Sequence, residues 1–182
     1  ERITSQDINL YISNQTEVEF IISECRKEKP AVIFVDSIQT CYSAETDSSQ
    51  GSISQIKNCT SLLIDFAKEA SIPVIIVGHI TKSGDIAGPK IMEHMVDVVI
   101  YFEGDNIYQH RTLRIIKNRF GSIDEILIFE MKDNGLNLIK NPSGYFIDKY
   151  EKEDEISVGK CRSVIMEGKK PLIVEVEALA VP

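Results

Sequence analysis

Residues 31–37 read Ala31-Val32-Ile33-Phe34-Val35-Asp36-Ser37, an apolar run closed by an acid and a hydroxyl. A short apolar run without alternation has the pattern of a strand buried in a parallel sheet, and an acid at its end is delivered to the carboxyl edge of that sheet. In nucleotide hydrolases a carboxylate so placed holds magnesium beside the phosphates. Any α/β protein also has buried strands that end in Asp, so the run alone leaves the chemistry open. The partner pattern G-x-x-x-x-G-K-[ST], whose backbone cradles phosphates, occurs neither in residues 1–35 nor after them. The expectation is part of a site.

Working outward, Ile8 to Ser13 is predicted as a short strand, and Asn14 with Glu17 three residues on as a capping box for a helix to about Lys29. Val18, Ile21, Ile22 and Cys25 have the spacing of one buried helix face, and Pro30 ends the element. On the other side, Ser37 to Gln50 is predicted as a polar loop over the sheet edge. A helix Ser52 to Ala70 follows, with Ile53, Ile56, Thr60, Leu63 and Ala67 along one face, and then a strand Pro73 to Gly78. Strand, helix, strand, helix, strand is the α/β pattern of a parallel sheet. His79 comes next, then a loop Ile80 to Lys90. Val96–Glu103, Leu113–Asn118, Ile123–Met131 and Leu136–Ile139 read as an antiparallel extension, with a turn at Asp133-Asn134-Gly135. From about Asp148 the pattern breaks into a charged linker around Glu151 to Glu155. Two further strands, Val158–Glu167 and Pro171–Ala180, begin a second domain or form a terminal hairpin packed on the first.

Composition narrows the class. Of 182 residues 43% are hydrophobic and 26% charged, and no apolar stretch approaches the roughly 20 residues of a membrane span. The first residues have neither the basic nor the apolar region of a signal peptide, and the missing initiator Met suggests a fragment. Cys25, Cys41, Cys59 and Cys161 have no metal-ligand spacing, so reduced, mostly packed thiols and a cytoplasmic location are expected. A net charge of −8 argues against a surface that coats nucleic acid throughout, but leaves room for local basic patches.

Three blocks then agree: AVIFVDSIQT at 31–40, VIIVGHITKSGDIAGPKIMEHMVDVVIYFEGD at 74–105, and LRIIKNRFGSIDEILIFEM at 113–131, followed by GL and NPS. Together they resemble the ATPase core of the bacterial RadA (Sms) DNA-repair family. Lys117-Asn118-Arg119-Phe120-Gly121 matches that family's signature pentapeptide. The resemblance spans about residues 8–148, and the tail is similar to the start of the Lon-like domain that follows the family's core. It implies a RecA-like P-loop NTPase core over 1–148 without its Walker A part, a linker at 149–157, and the beginning of a Lon-like domain at 158–182. It further implies ATP and Mg2+ as cofactors, and homohexameric rings that move on single-stranded DNA and assist branch migration, with a recombinase filament as a further partner. The family's N-terminal four-cysteine zinc module has no counterpart here, so zinc binding is not assigned. These residues alone are expected not to turn over ATP. The rival function is a non-catalytic DNA-binding or assembly module with a degenerate nucleotide site.

The residues then acquire roles. Asp36 would orient magnesium, a hard cation that prefers carboxylate and water oxygen. Ser37 and Gln39 support that site or simply begin the loop. His79 would contact the γ-phosphate, since neutral imidazole both donates and accepts; otherwise it is a satisfied strand-end histidine. His94 and His110 have no metal-like spacing with it. Lys82, Gly84, Gly88, Pro89 and Lys90 resemble the DNA-facing loop of ring ATPases, where lysines neutralise phosphates without reading sequence; a solvated surface loop is the alternative. Lys117 and Arg119 alternate along a strand and leave one face. By analogy with hexameric helicases they would bind nucleotide across a subunit interface and stabilise a neighbour's transferring phosphate. Contact with DNA, or a charged edge strand, competes with that role. Phe120 is either a stacking platform for a base or, the favoured reading, a packing anchor.

Overall fold

The computed structural model describes residues 9–79, 88–104, 110–123, 126–142, 159–167 and 170–178. The change from helical to alternating periodicity near residue 97 is also a structural division, because the chain separates between Val96 and Asp97 into two compact units.

In the first unit, α1 (Val18–Glu28), β1 (Ile33–Asp36), a single 3-10 turn (Ile38–Thr40), α2 (Ile53–Ala70), β2 (Val74–Val77) and α3 (Gly88–Met95) follow one another. The two strands pair in parallel, Ile33 opposite Val74 and Asp36 opposite Val77. Ile33 and Val35 enter a core with Val18, Ile38, Cys41, Ile56, Cys59, Leu63, Phe66 and Met92. Burying each large aliphatic or aromatic chain contributes about 1.5–3 kcal/mol. Phe34 points the other way and is 66% exposed. Among the described residues the strand expected to be buried is thus buried at alternate positions, Ile33 and Val35.

Several local expectations change for identifiable reasons. Residues 9–13 have no regular structure rather than forming a strand, and their apolar side chains Leu10, Tyr11 and Ile12 are exposed. The capping box at Asn14 does not form. Glu17 is the cap residue and makes no side-chain cap bond, because backbone pairing supplies the partner instead. The Val18 N–H donates to the Tyr42 carbonyl at 3.0 Å and the Tyr42 N–H to the Thr16 carbonyl at 2.9 Å, which satisfies a helix donor that would otherwise be orphaned. At the other end Lys29 adopts the left-handed conformation, φ 47°, and Pro30 follows. Ser52 caps α2, its hydroxyl accepting from the Gln55 N–H at 3.3 Å. The buried face of α2 keeps Ile56, Thr60 and Leu63 of the expected stripe and widens to take in Gln55, Cys59 and Phe66, while Ile53 is exposed. Arg26 joins α1 to α2 through a two-pronged bond to Glu69 at 2.8 and 2.7 Å, with its guanidinium 5.4 Å from the centre of the Phe66 ring. Gly88, Pro89 and Lys90 belong to the first turn of α3 rather than to a loop, a place where proline's missing N–H costs nothing.

The second unit contains β3 (Val98–Gly104), β4 (His110–Asn118), β5 (Ile126–Lys132) and β6 (Gly135–Leu138), an antiparallel sheet in sequence order. Both parallel and antiparallel pairing therefore occur, in an α/β chain, but as separate hydrogen-bonded sheets. The expected turn forms between Lys132 and Gly135, and Gly135 takes a φ of +110° that a side chain would resist. β7 (Lys160–Glu167) and β8 (Lys170–Glu177) pair with each other in a third, two-stranded sheet that leaves Val164, Met166 and Val176 exposed. No helix among the described residues is long and apolar enough to cross a membrane.

Candidate functional site

Parallel pairing brings the carboxyl ends of β1 and β2 together, and with them Asp36 and the Gly78-His79 step. The Asp36 carboxylate stands open, 72% exposed, and His79 Nε2 lies 4.0 Å from its Oδ1 with a side chain 71% exposed. Neither group is committed to the core. Ser37, by contrast, is buried; its carbonyl accepts from the Thr40 N–H at 3.1 Å and the Thr40 hydroxyl at 2.8 Å, so it shapes the turn under Asp36. The Asp36–Ser37 peptide is cis.

Gln39 spans the two strand ends. Its Nε2 donates to the His79 carbonyl at 3.1 Å, while its Oε1 is buried and meets no partner among the described residues. Gly78 beside it packs against α3: a Cβ there would stand 2.9 Å from Met92 Cε, the mobile end of that side chain. The segment expected as a polar loop over the edge is pinned from below by Gln55, 2% exposed. That amide accepts from the Ser43 N–H at 2.9 Å and donates to the carbonyls of Ser43, Thr46 and Ser48 at 3.1, 2.9 and 3.1 Å. The Ser43 hydroxyl donates to Glu19. Burial beside Cys41 pushes the Cys59 thiol up to about 12, and burial also raises Cys41. Both are packing groups rather than nucleophiles.

Of the expected DNA-facing residues, Lys90 is exposed on α3, whereas Lys82 and Gly84 lie outside the described residues. Lys117 and Arg119 belong to the second unit. Lys117 sits opposite Val99, directly after a bulge that leaves Ile116 as the extra residue of β4, a device that bends a strand and re-aims side chains. Arg119 stands just past β4, its N–H donating to the Asp97 carbonyl at 3.1 Å and its Nη1 to Asp97 Oδ1 at 2.8 Å. The Asn118 side chain accepts from the Phe120 N–H at 3.0 Å and donates to the Ser122 carbonyl at 3.4 Å. Phe120 is 80% exposed, so it does not pack as favoured from the sequence. His110 is buried and His94 exposed, and no cluster of metal-ligating side chains occurs among the described residues.

Sequence reasoning missed Asp97 and Gln55, and left Gln39 between two roles. Regular register would set Asp97 opposite Asn118, and the bulge at Ile116 brings it opposite Arg119 instead; nothing local marks Gln55.

No family model matches the chain. Over all 182 residues it is 43% identical to the DNA repair protein RadA of Bacillus subtilis, and it is 42% identical to that of Streptococcus pneumoniae over the same length. The chain is RadA-like from end to end. RadA of Pseudomonas aeruginosa agrees at 38% identity over 178 residues, 98% of this chain. The chain spans 39%, 43% and 39% of these three RadA proteins. The crystal structure of the RadB recombinase matches 65% of this chain and 57% of its own at 20% identity, with a TM-score of 0.46. The resemblance carried by three motif blocks thus extends through the intervening sequence.

Proposed function

We propose that this chain supplies the metal-holding, sensing and trans-acting cationic parts of a RecA-like, DNA-dependent ATPase that works in recombinational DNA repair, as a ring helicase that drives branch migration on single-stranded DNA. The observation that carries this reading is the open Asp36–His79 pair at the carboxyl edge of two parallel strands, in a chain similar to RadA throughout. Ligands of open α/β sheets bind at that edge.

The fit to cofactors follows from the donor set. Magnesium keeps several waters and takes one or two carboxylates besides the phosphates of its nucleotide; a single exposed Asp36 meets that need, and ATP is the nucleotide we propose beside it. Ser37 holds the turn that presents Asp36. His79, with its carbonyl tied to Gln39, has its ring free to turn toward a terminal phosphate. Lys117 and Arg119 would serve a neighbouring subunit's nucleotide, where charge stabilisation is the main catalytic need. Lys90, with Lys82, would meet the DNA backbone. A soluble, cytoplasmic homohexamer acting alongside a recombinase filament is the natural setting for these roles.

Subunit mixing in the full-length polypeptide tests the reading. Asp36→Ala should abolish ATP turnover without preventing assembly, and Arg119→Ala should lower it to a residual rate in the oligomer. Rings containing both variants should regain part of the activity, since some interfaces then join an intact Asp36 to an intact Arg119. Full turnover by Asp36→Ala would instead favour a DNA-binding or assembly module with a degenerate nucleotide site.

A further inference from the structure

We propose that Asp97 is a positioning residue for Arg119, holding its guanidinium in the orientation from which the rest of the fork reaches a phosphoryl oxygen. This rests on the assignment of Arg119 as a trans-acting cation. Asp97 directly precedes β3 and Arg119 directly follows β4, and Val98 opposite Asn118 is the terminal pair of that ladder. The two residues are therefore the next rung. One bond, from the Arg119 N–H to the Asp97 carbonyl at 3.1 Å, prolongs the ladder; a second, from Nη1 to Oδ1 at 2.8 Å, holds the head of the same side chain. Backbone and guanidinium of Arg119 are thus both referred to one residue. On the other side the Asn118–Phe120 turn, closed at 3.0 Å, limits how the backbone after Arg119 can move.

The chemistry suits orientation better than stability. The pair is half exposed, 53% for Arg119 and 41% for Asp97, and exposed ion pairs add little to folding. A guanidinium, however, has five N–H donors in a rigid plane. Engaging Nη1 on a carboxylate restricts the guanidinium, so part of the rotamer entropy of a long side chain is surrendered before phosphate arrives. Lys117 lies two rungs further into the ladder, opposite Val99 after the bulge.

The test is a double-mutant cycle on ATP turnover by the full-length oligomer with saturating single-stranded DNA. Asp97→Asn retains the main-chain bond and the side-chain volume while removing the charge. It should lower kcat roughly tenfold and leave KM for ATP within about twofold. In an Arg119→Ala background the same substitution should cause no further loss, and Asp97→Glu, which restores the charge, should recover part of kcat. Equal losses in both backgrounds, or an unchanged kcat for Asp97→Asn when Arg119→Ala is impaired, would overturn the positioning role alone. Unimpaired turnover by Arg119→Ala would overturn the cation assignment and the role of Asp97 with it. Melting curves of the variants separate these outcomes from misfolding, in which case Asp97→Glu alone decides: full loss of kcat in a folded oligomer counts against the proposal.

Discussion

Gln39 and His79 are joined side chain to main chain: the Gln39 amide donates to the His79 carbonyl at 3.1 Å, across the ends of two parallel strands. The bond couples the turn that follows Asp36 to the residue that faces it. A neutral hydrogen bond contributes about 1 kcal/mol net, so Gln39→Leu should cost about that in a urea titration, and roughly tenfold in ATP turnover of the full-length polypeptide through misplacement of His79. Gln39→Glu should be worse on both counts, because it brings a carboxylate to a carbonyl. Turnover equal to the parent in Gln39→Leu would show that His79 needs no such anchor.

Gln55 carries a larger share of stability. Its removal leaves the Ser43 N–H and three carbonyls without their amide partner, and a buried group left unsatisfied costs about 1–3 kcal/mol. Gln55→Leu, similar in volume, should destabilise by about 2–3 kcal/mol and raise amide hydrogen exchange over residues 43–48. Unchanged exchange there would mean that the segment is held by something else.

Thiol chemistry gives a test of burial. Cys161 is exposed while Cys41 and Cys59 are buried, so a water-soluble maleimide should label Cys161 in the folded chain and reach the other two only after denaturation. The raised Cys59 value also sets a pH dependence. The unfolded thiol loses its proton near the ordinary 9.0 while the folded one keeps it to about 12, so the contribution of Cys59 to stability is intact below 9.0 and is lost as pH rises towards 12. Cys59→Ala should flatten that decline in melting temperature, although it also creates a small cavity.

Phe120 and Lys90 separate stacking from charge. An aromatic 80% exposed contributes little to folding, so Phe120→Ala should leave stability within about 0.5 kcal/mol. It should weaken binding of single-stranded DNA by about 1–3 kcal/mol if a base stacks there, with Phe120→Trp retaining affinity. Lys90→Ala should reduce affinity and also lower the salt slope, by about 0.7 for one phosphate contact on a single strand. Fluorescence anisotropy across a salt series distinguishes the two, and an unchanged slope would remove Lys90 from the DNA interface.

Much of the fold is legible in local pattern. The apolar run ending in Asp36, the helix after Ser52, the alternation of β3 to β5 and the turn before Gly135 all appear where periodicity places them. Asp36 and His79 could be named as a pair because both end apolar strands, and parallel pairing does the rest. Other details were legible only as alternatives, such as the roles of Gln39 and Phe120, since neither has a periodic neighbour that constrains it.

By itself, then, the sequence determined the order and type of most elements and the identity of the acid at the strand end, because burial alternates with a period of about 2 or 3.6 residues and that rhythm is written locally. Only the tertiary structure decided that Tyr42 replaces the Asn14 cap, that Gln55 rather than Ile53 turns inward, that Gln39 holds His79, and that Asp97 holds Arg119. Each of the last two depends on a hydrogen bond between residues far apart in the chain. The strength of such a bond rests on a few tenths of an ångström and a few degrees, which strand register supplies and local sequence does not encode.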